Sequence, residues 1–91
     1  MLDDSVIGNL YRTKRMWFGY KTPQQAKLVT WHGESLQTGC IFTILEIVKY
    51  PTNGAVPWNT TFYVAKILTV QGNVYYIKLD DQNYEEELTL L

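Results

Sequence analysis

The sequence predicts an all-β domain: a small barrel of five strands with an enlarged first loop and one short helical turn. Three observations lead there. No long segment repeats apolar residues at the helical period. The segments 40–50, 60–70 and 74–79 are rich in β-branched and aromatic residues and are bounded by Gly, Pro and Asn. The chain has 91 residues, of which 46% are apolar and 14% aromatic. That is one domain, 1–91, small enough to need an efficiently used core.

In order, residues 7–12 supply a first strand. A long polar, basic and aromatic stretch follows, with Pro23 in its middle. Within it Thr22-Pro23-Gln24-Gln25-Ala26 predicts the helical turn, since Thr caps and Pro is tolerated at the first helical position. Gly39 opens Cys40–Tyr50, a long curving strand ended by Pro51. Strict alternation places Phe42, Ile44, Glu46, Val48 and Tyr50 on one face, with Ile41, Thr43, Leu45, Ile47 and Lys49 on the other. Residues 51–59 carry turn chemistry. The strands 60–70 and 74–79 form a hairpin, for which Gly72-Asn73 suits a two-residue turn of type II′. Residues 80–84 suit a turn or a single helical turn, and 87–90 a closing strand.

Net charge is only −1, but it is segregated. Five of the eight Lys and Arg lie between Arg12 and Lys27, while Asp80, Asp81, Glu85, Glu86 and Glu87 cluster near the end. Such a two-signed surface argues against generic nucleic-acid binding by the whole domain. The apolar runs are too short to span a bilayer, and the acidic opening Met1-Leu2-Asp3-Asp4 is unlike a signal peptide. A soluble, cytoplasmic protein without membrane contact is expected. The sequon Asn59-Thr60-Thr61 is then expected to be a chance match.

The one cysteine, Cys40, excludes an internal disulfide and any zinc site needing two thiolates from one chain. Between Gly39 and Ile41-Phe42 it reads as a small apolar residue of a strand. His32 is the only histidine, in Trp31-His32-Gly33-Glu34. Pairing with Glu34 as a general base is conceivable, but a structural hydrogen bond is the commoner use of a loop histidine. No Ser-His-Asp or Cys-His arrangement, phosphate loop or calcium loop stands out. The expectation is a protein that is not an enzyme and has no cofactor or metal.

Several short stretches resemble the Src-homology-3 (SH3) family in the correct order along nearly the whole chain. Asn9-Leu10-Tyr11-Arg12-Thr13 is similar to its ALYDY stretch, and Ser35–Glu46 to its diverging turn and following strand. Phe62-Tyr63-Val64-Ala65 resembles its WW-x-A strand. Tyr75-Tyr76-Ile77-Lys78, with Asn83-Tyr84 after an insertion, resembles its closing G-Y-I-P-S-N-Y. The resemblance implies an SH3-like barrel whose aromatics Tyr11, Phe62 and Tyr84 line a peptide groove. It also marks departures. Lys78 stands where the groove proline belongs, and Thr13 where the second ALYDY tyrosine does. The first loop, acidic in such domains, here carries Arg12, Lys14, Arg15, Lys21 and Lys27, with 27 residues between Tyr11 and Gly39. A basic proline-rich ligand would be repelled, so an acidic or neutral segment of a partner protein is implied.

The expected partner-binding surface is therefore Tyr11, Lys14, Arg15, Trp17, Phe62, Lys78 and Tyr84, partly exposed and forming one patch. A nucleic-acid-binding barrel is the alternative: in Arg12-Thr13-Lys14-Arg15-Met16-Trp17-Phe18-Gly19-Tyr20-Lys21, basic groups could meet phosphates while Trp17, Phe18 and Tyr20 stack on bases. Self-association through the apolar final strand Leu88-Thr89-Leu90-Leu91 is a third route. Size and lack of catalytic equipment suit a small prokaryotic or phage-encoded accessory protein.

Overall fold

The computed structural model describes residues 2–28, 33–50, 62–80 and 84–91. The chain is all-β in class. Its strands are β1 (Leu10–Thr13), β2 (Trp17–Gly19), β3 (Glu34–Leu36), β4 (Ile41–Tyr50), β5 (Phe62–Thr69), β6 (Val74–Asp80) and β7 (Leu88–Leu90). The helical pieces are a 3-10 turn at Asp4–Val6, α1 (Pro23–Leu28) and α2 (Tyr84–Glu87). Five strands form one antiparallel sheet in the order β6-β5-β4-β1-β7, and β2 pairs with β3 in a separate ribbon.

Two parts of the five-stranded barrel expectation therefore change. Among the described residues seven strands are present, because the enlarged first loop folds into a ribbon of its own. Among the described residues the sheets do not close into a barrel. Among the described residues the one bridge from the first loop to β6 is made just after β2, by Tyr20 with Tyr76.

The main core lies on one face of the large sheet. Phe42, Ile44, Ile67, Ile77 and Leu79 are at most 1% exposed. Each such side chain contributes about 1.5–3 kcal/mol by leaving water. Leu2 and Val6, from the N-terminal segment, and Leu36, from the ribbon, close over the same cluster. On the other face, Tyr20 and Ala26 pack on Val64, with Tyr50, Phe62 and Tyr76 at the margin. The first loop thus covers the outer side of β5 and β6.

Strict alternation along β4 does not hold. A register shift between Ile44 and Glu46 reverses the facing of the strand. Phe42 and Ile44 are buried, yet beyond the shift Ile47 packs on the core while Glu46 and Val48 are exposed. A bulge accommodates the change because two residues of one strand then oppose one of its neighbour. It also keeps the Glu46 carboxylate out of the core, where its desolvation would be costly.

The first strand starts three residues later than expected, since Asp4–Val6 forms the 3-10 turn, capped by the Asp3 carboxylate accepting from the Ser5 amide at 2.8 Å. The hairpin turn also differs. Thr69 N–H donates to Asn73 O at 2.9 Å, so the loop is Val70-Gln71-Gly72, and Gly72 (φ 89°) fills its last, left-handed position. The helical turn at Pro23 forms as expected. Thr22 Oγ1 accepts from the Gln25 amide at 3.2 Å, with Pro23 in the first helical position. The Pro51–Asn59 loop, the sequon at 59–61, Trp31, His32 and residues 81–83 lie outside the described residues.

Candidate functional site

The basic loop is fixed from within. Thr13, only 2% exposed, ties the loop's two ends together. Its hydroxyl donates to Gln37 O at 3.0 Å and accepts from the Cys40 amide at 3.1 Å. Its own N–H donates to Cys40 O, also at 3.0 Å. From there the loop meets α2. Lys14 N–H donates to Glu87 O at 2.8 Å, and Lys14 Nζ to Glu85 O at 3.3 Å. The Arg15 guanidinium pairs with the Glu87 carboxylate.

Further along the loop, Lys21 Nζ lies 3.4 Å from Glu34 Oε1 and 4.7 Å from the centre of the Tyr75 ring. Tyr75 Oη donates to Glu34 Oε2 at 2.7 Å. That bond, followed by the Lys21 ammonium, holds the Glu34 carboxyl below its usual range. The same bond raises Tyr75 above the usual phenol value. Lys27 Nζ caps the Tyr50 ring at 4.9 Å. Part of the sequence's charge asymmetry is thus met within the fold, by Arg15 with Glu87 of the acidic last turn and by Lys21 with Glu34 of the ribbon.

Beside this contact opens a cleft of about 420 Å³, lined by Arg15, Met16, Trp17, Phe18, Tyr20, Lys78, Asp80 and Glu87. Its wall is β2 and the residue before it. Alternation turns Trp17 toward the core, against which it packs half-buried, while Met16 and Phe18 remain 53% and 48% exposed. Two large apolar side chains thus stand in water at the mouth of a cleft, where neither contributes much to folding. The opposite wall is β6. Lys78 Nζ stands 4.5 Å over the Phe62 ring, which stacks on Tyr50 at 5.4 Å between centroids. Two cations, Arg15 and Lys78, face two carboxylates, Asp80 and Glu87, so the rim carries balanced charge.

The seven expected surface residues divide. Arg15, Trp17 and Lys78 line this cleft, and Phe62 stands beside it under Lys78. Tyr11, Lys14 and Tyr84 line a separate depression with Glu85, Leu88, Thr89 and Leu90. Tyr11 and Tyr84 are not partly exposed as expected: they are 5% and 8% exposed. Tyr11 stacks on Phe42 at 6.1 Å, so its ring serves the core. Met16, Asp80 and Glu87 line the cleft without being expected there, and Phe18 and Tyr20 do so although the sequence offers them only for stacking on bases. The apolar alternation Met16-Phe18-Tyr20 was the available signal for the first of them.

Cys40 is half-buried, and burial pushes its thiol pKa up, as suits an unreactive packing residue. Among the described residues no group of His, Cys, Asp and Glu is disposed to hold a metal ion, and no helix is long and apolar enough to cross a membrane. No known family, curated protein or solved structure matches the chain.

Proposed function

We propose that this chain is a non-enzymatic protein-interaction module of SH3-like build, holding a neutral segment of a partner protein in the cleft between Met16–Phe18 and Lys78–Asp80. The observation that carries this reading is the pair Met16 and Phe18, half-exposed above a rim of balanced charge. The SH3-like build is supported by the order β7-β1-β4-β5-β6, by the long first loop folded against it and by the late tight hairpin. Of the acidic and neutral ligands implied by the sequence, the neutral one is favoured. Lys14, Arg15 and Lys21 already have partners, and Asp80 and Glu87 would repel an acidic chain.

The same pairing weakens the case for a nucleic acid. Phosphate binding draws on cations able to release counterions, and here most of the basic loop is engaged. Selection of short linear peptides from a displayed random library tests the proposal. Neutral binders should emerge and lose about tenfold or more in affinity with the Phe18→Ala variant, since a buried aromatic contact is worth that much. No binder, or binders indifferent to Phe18, would refute it. Salt-sensitive binding of short DNA or RNA in place of peptide would favour the nucleic-acid reading.

A further inference from the structure

We infer that the cleft takes its partner by strand addition: an extended, neutral protein segment pairs with the free edge of β6 at Lys78 and Asp80. This rests on the reading of the cleft as a protein-binding site and adds how the partner is held. The argument starts from the backbone. Tyr76 exchanges both main-chain hydrogen bonds with Tyr20, at 2.7 and 2.8 Å, so its N–H and C=O point away from β5. In an antiparallel pair these directions alternate. The hydrogen-bonded Thr69–Asn73 pair fixes the phase of the β5–β6 ladder, and Ile67–Tyr75, Ala65–Ile77 and Tyr63–Leu79 continue it. The N–H and C=O groups of Lys78 and Asp80 therefore point outward, the same way as those of Tyr76.

Tyr20 is the last residue of the first loop to follow that edge, and among the described residues no strand pairs with β6 beyond it. Two residues of outward-directed backbone consequently face the cleft whose far wall is Met16, Trp17 and Phe18. An extended main chain is the ligand that satisfies such an edge, because it offers donors and acceptors at the matching spacing. Its side chains would alternate, and one apolar group per repeat would lie against Phe18. A run of like charge would meet two repelling groups of the four on the rim, so the segment is neutral. The overhanging ribbon and the charged Lys78 and Asp80 explain how the edge stays open to one inserted segment without inviting sheet-to-sheet aggregation.

Peptides chosen by the library selection, resynthesised with N-methyl groups on one or the other alternate set of amides, provide the test. N-methylation deletes main-chain donors and leaves the side chains in place. At least one methylated set should bind about tenfold more weakly than the parent, and hydrogen exchange of the Lys78 and Asp80 amides should slow about tenfold in the complex. If both sets bind within about threefold of the parent, or if those two amides stay unprotected under saturating peptide, strand addition is wrong. The cleft would then hold its partner by side chains alone and the proposed function would stand. If no peptide is selected at all, both fall.

Discussion

Arg15, in the basic loop near the start of the chain, and Glu87, in the acidic turn near its end, form a salt bridge that lines the cleft. The contact brings together the two ends of a charge separation that, in sequence, reads as two opposed outer surfaces. It also sets the cleft's character, because each of these residues lines it.

The Arg15 side chain is 69% exposed and that of Glu87 21%, so solvent screens the pair and its contribution to stability is small. A double-mutant cycle with Arg15→Ala and Glu87→Ala, read by urea unfolding, should give a coupling of about 0.2–1 kcal/mol. The coupling should shrink as salt is added.

Trp17 and Phe18 are neighbours with opposite duties. Trp17 packs on the core and Phe18 stands half in solvent. Trp17→Ala is expected to lower unfolding free energy by about 1–3 kcal/mol, less than the loss at a fully buried site. Phe18→Ala should stay within about 0.5 kcal/mol of the parent. Thermal unfolding of the two variants side by side checks this, and it identifies Phe18 as the residue through which binding can be tested cleanly.

Gly19 lies against Tyr75 so closely that an added Cβ would sit 2.8 Å from the ring's Cγ and 2.9 Å from Cβ. Both atoms belong to a side chain that is only 8% exposed and has little room to retreat. Gly19→Ala should cost about 1–3 kcal/mol through overpacking. Nuclear magnetic resonance shifts of Tyr75 and Glu34 should move with it as the ribbon is pushed from β6.

The Glu34–Tyr75 hydrogen bond makes stability depend on pH at both ends. Glu34 has a folded pKa below its unfolded value, so its stabilisation is present above the unfolded pKa and lost as pH falls through the folded one. Tyr75 has a folded pKa above its unfolded value, so its stabilisation is complete below the unfolded pKa and lost as pH rises through the folded one. Tyr75→Phe should flatten both limbs. Urea midpoints taken across acid, neutral and alkaline pH would show it, and unchanged limbs would place the titration elsewhere.

What could be read from the sequence was local chemistry. Thr22-Pro23 carries a cap and a helix start in adjacent residues, and the helix begins there. β-Branched and aromatic runs marked β4, β5 and β6 for the same reason. The bulge between Ile44 and Glu46 was not legible, because strict alternation treats every residue as paired. The hairpin lies where the sequence predicts it, but the turn differs: a two-residue turn puts Gly72 first, whereas the ladder extends only to Thr69 and Asn73 and Gly72 comes last of three.

For the site, the sequence indicated the loop and its aromatics but not their division of labour. Tyr11 looked like a groove residue because its neighbours resembled a groove motif. Its stacking on Phe42 depends on a strand 31 residues further along the chain and so is invisible in the local sequence. The charge segregation was legible in full, and its meaning was not. Whether separated charges face solvent or each other is decided by the closing strand β7, which returns beside β1 and carries α2 to the basic loop.

Amide shift mapping of the protein titrated with a selected neutral peptide tests the central claim most directly. The account predicts perturbations concentrated at Met16–Tyr20 and Tyr76–Asp80, the two walls of the cleft, and their loss in Phe18→Ala. Perturbations centred instead on the depression of Tyr11, Tyr84 and Leu88, or on the Gln37–Cys40 turn, would contradict it.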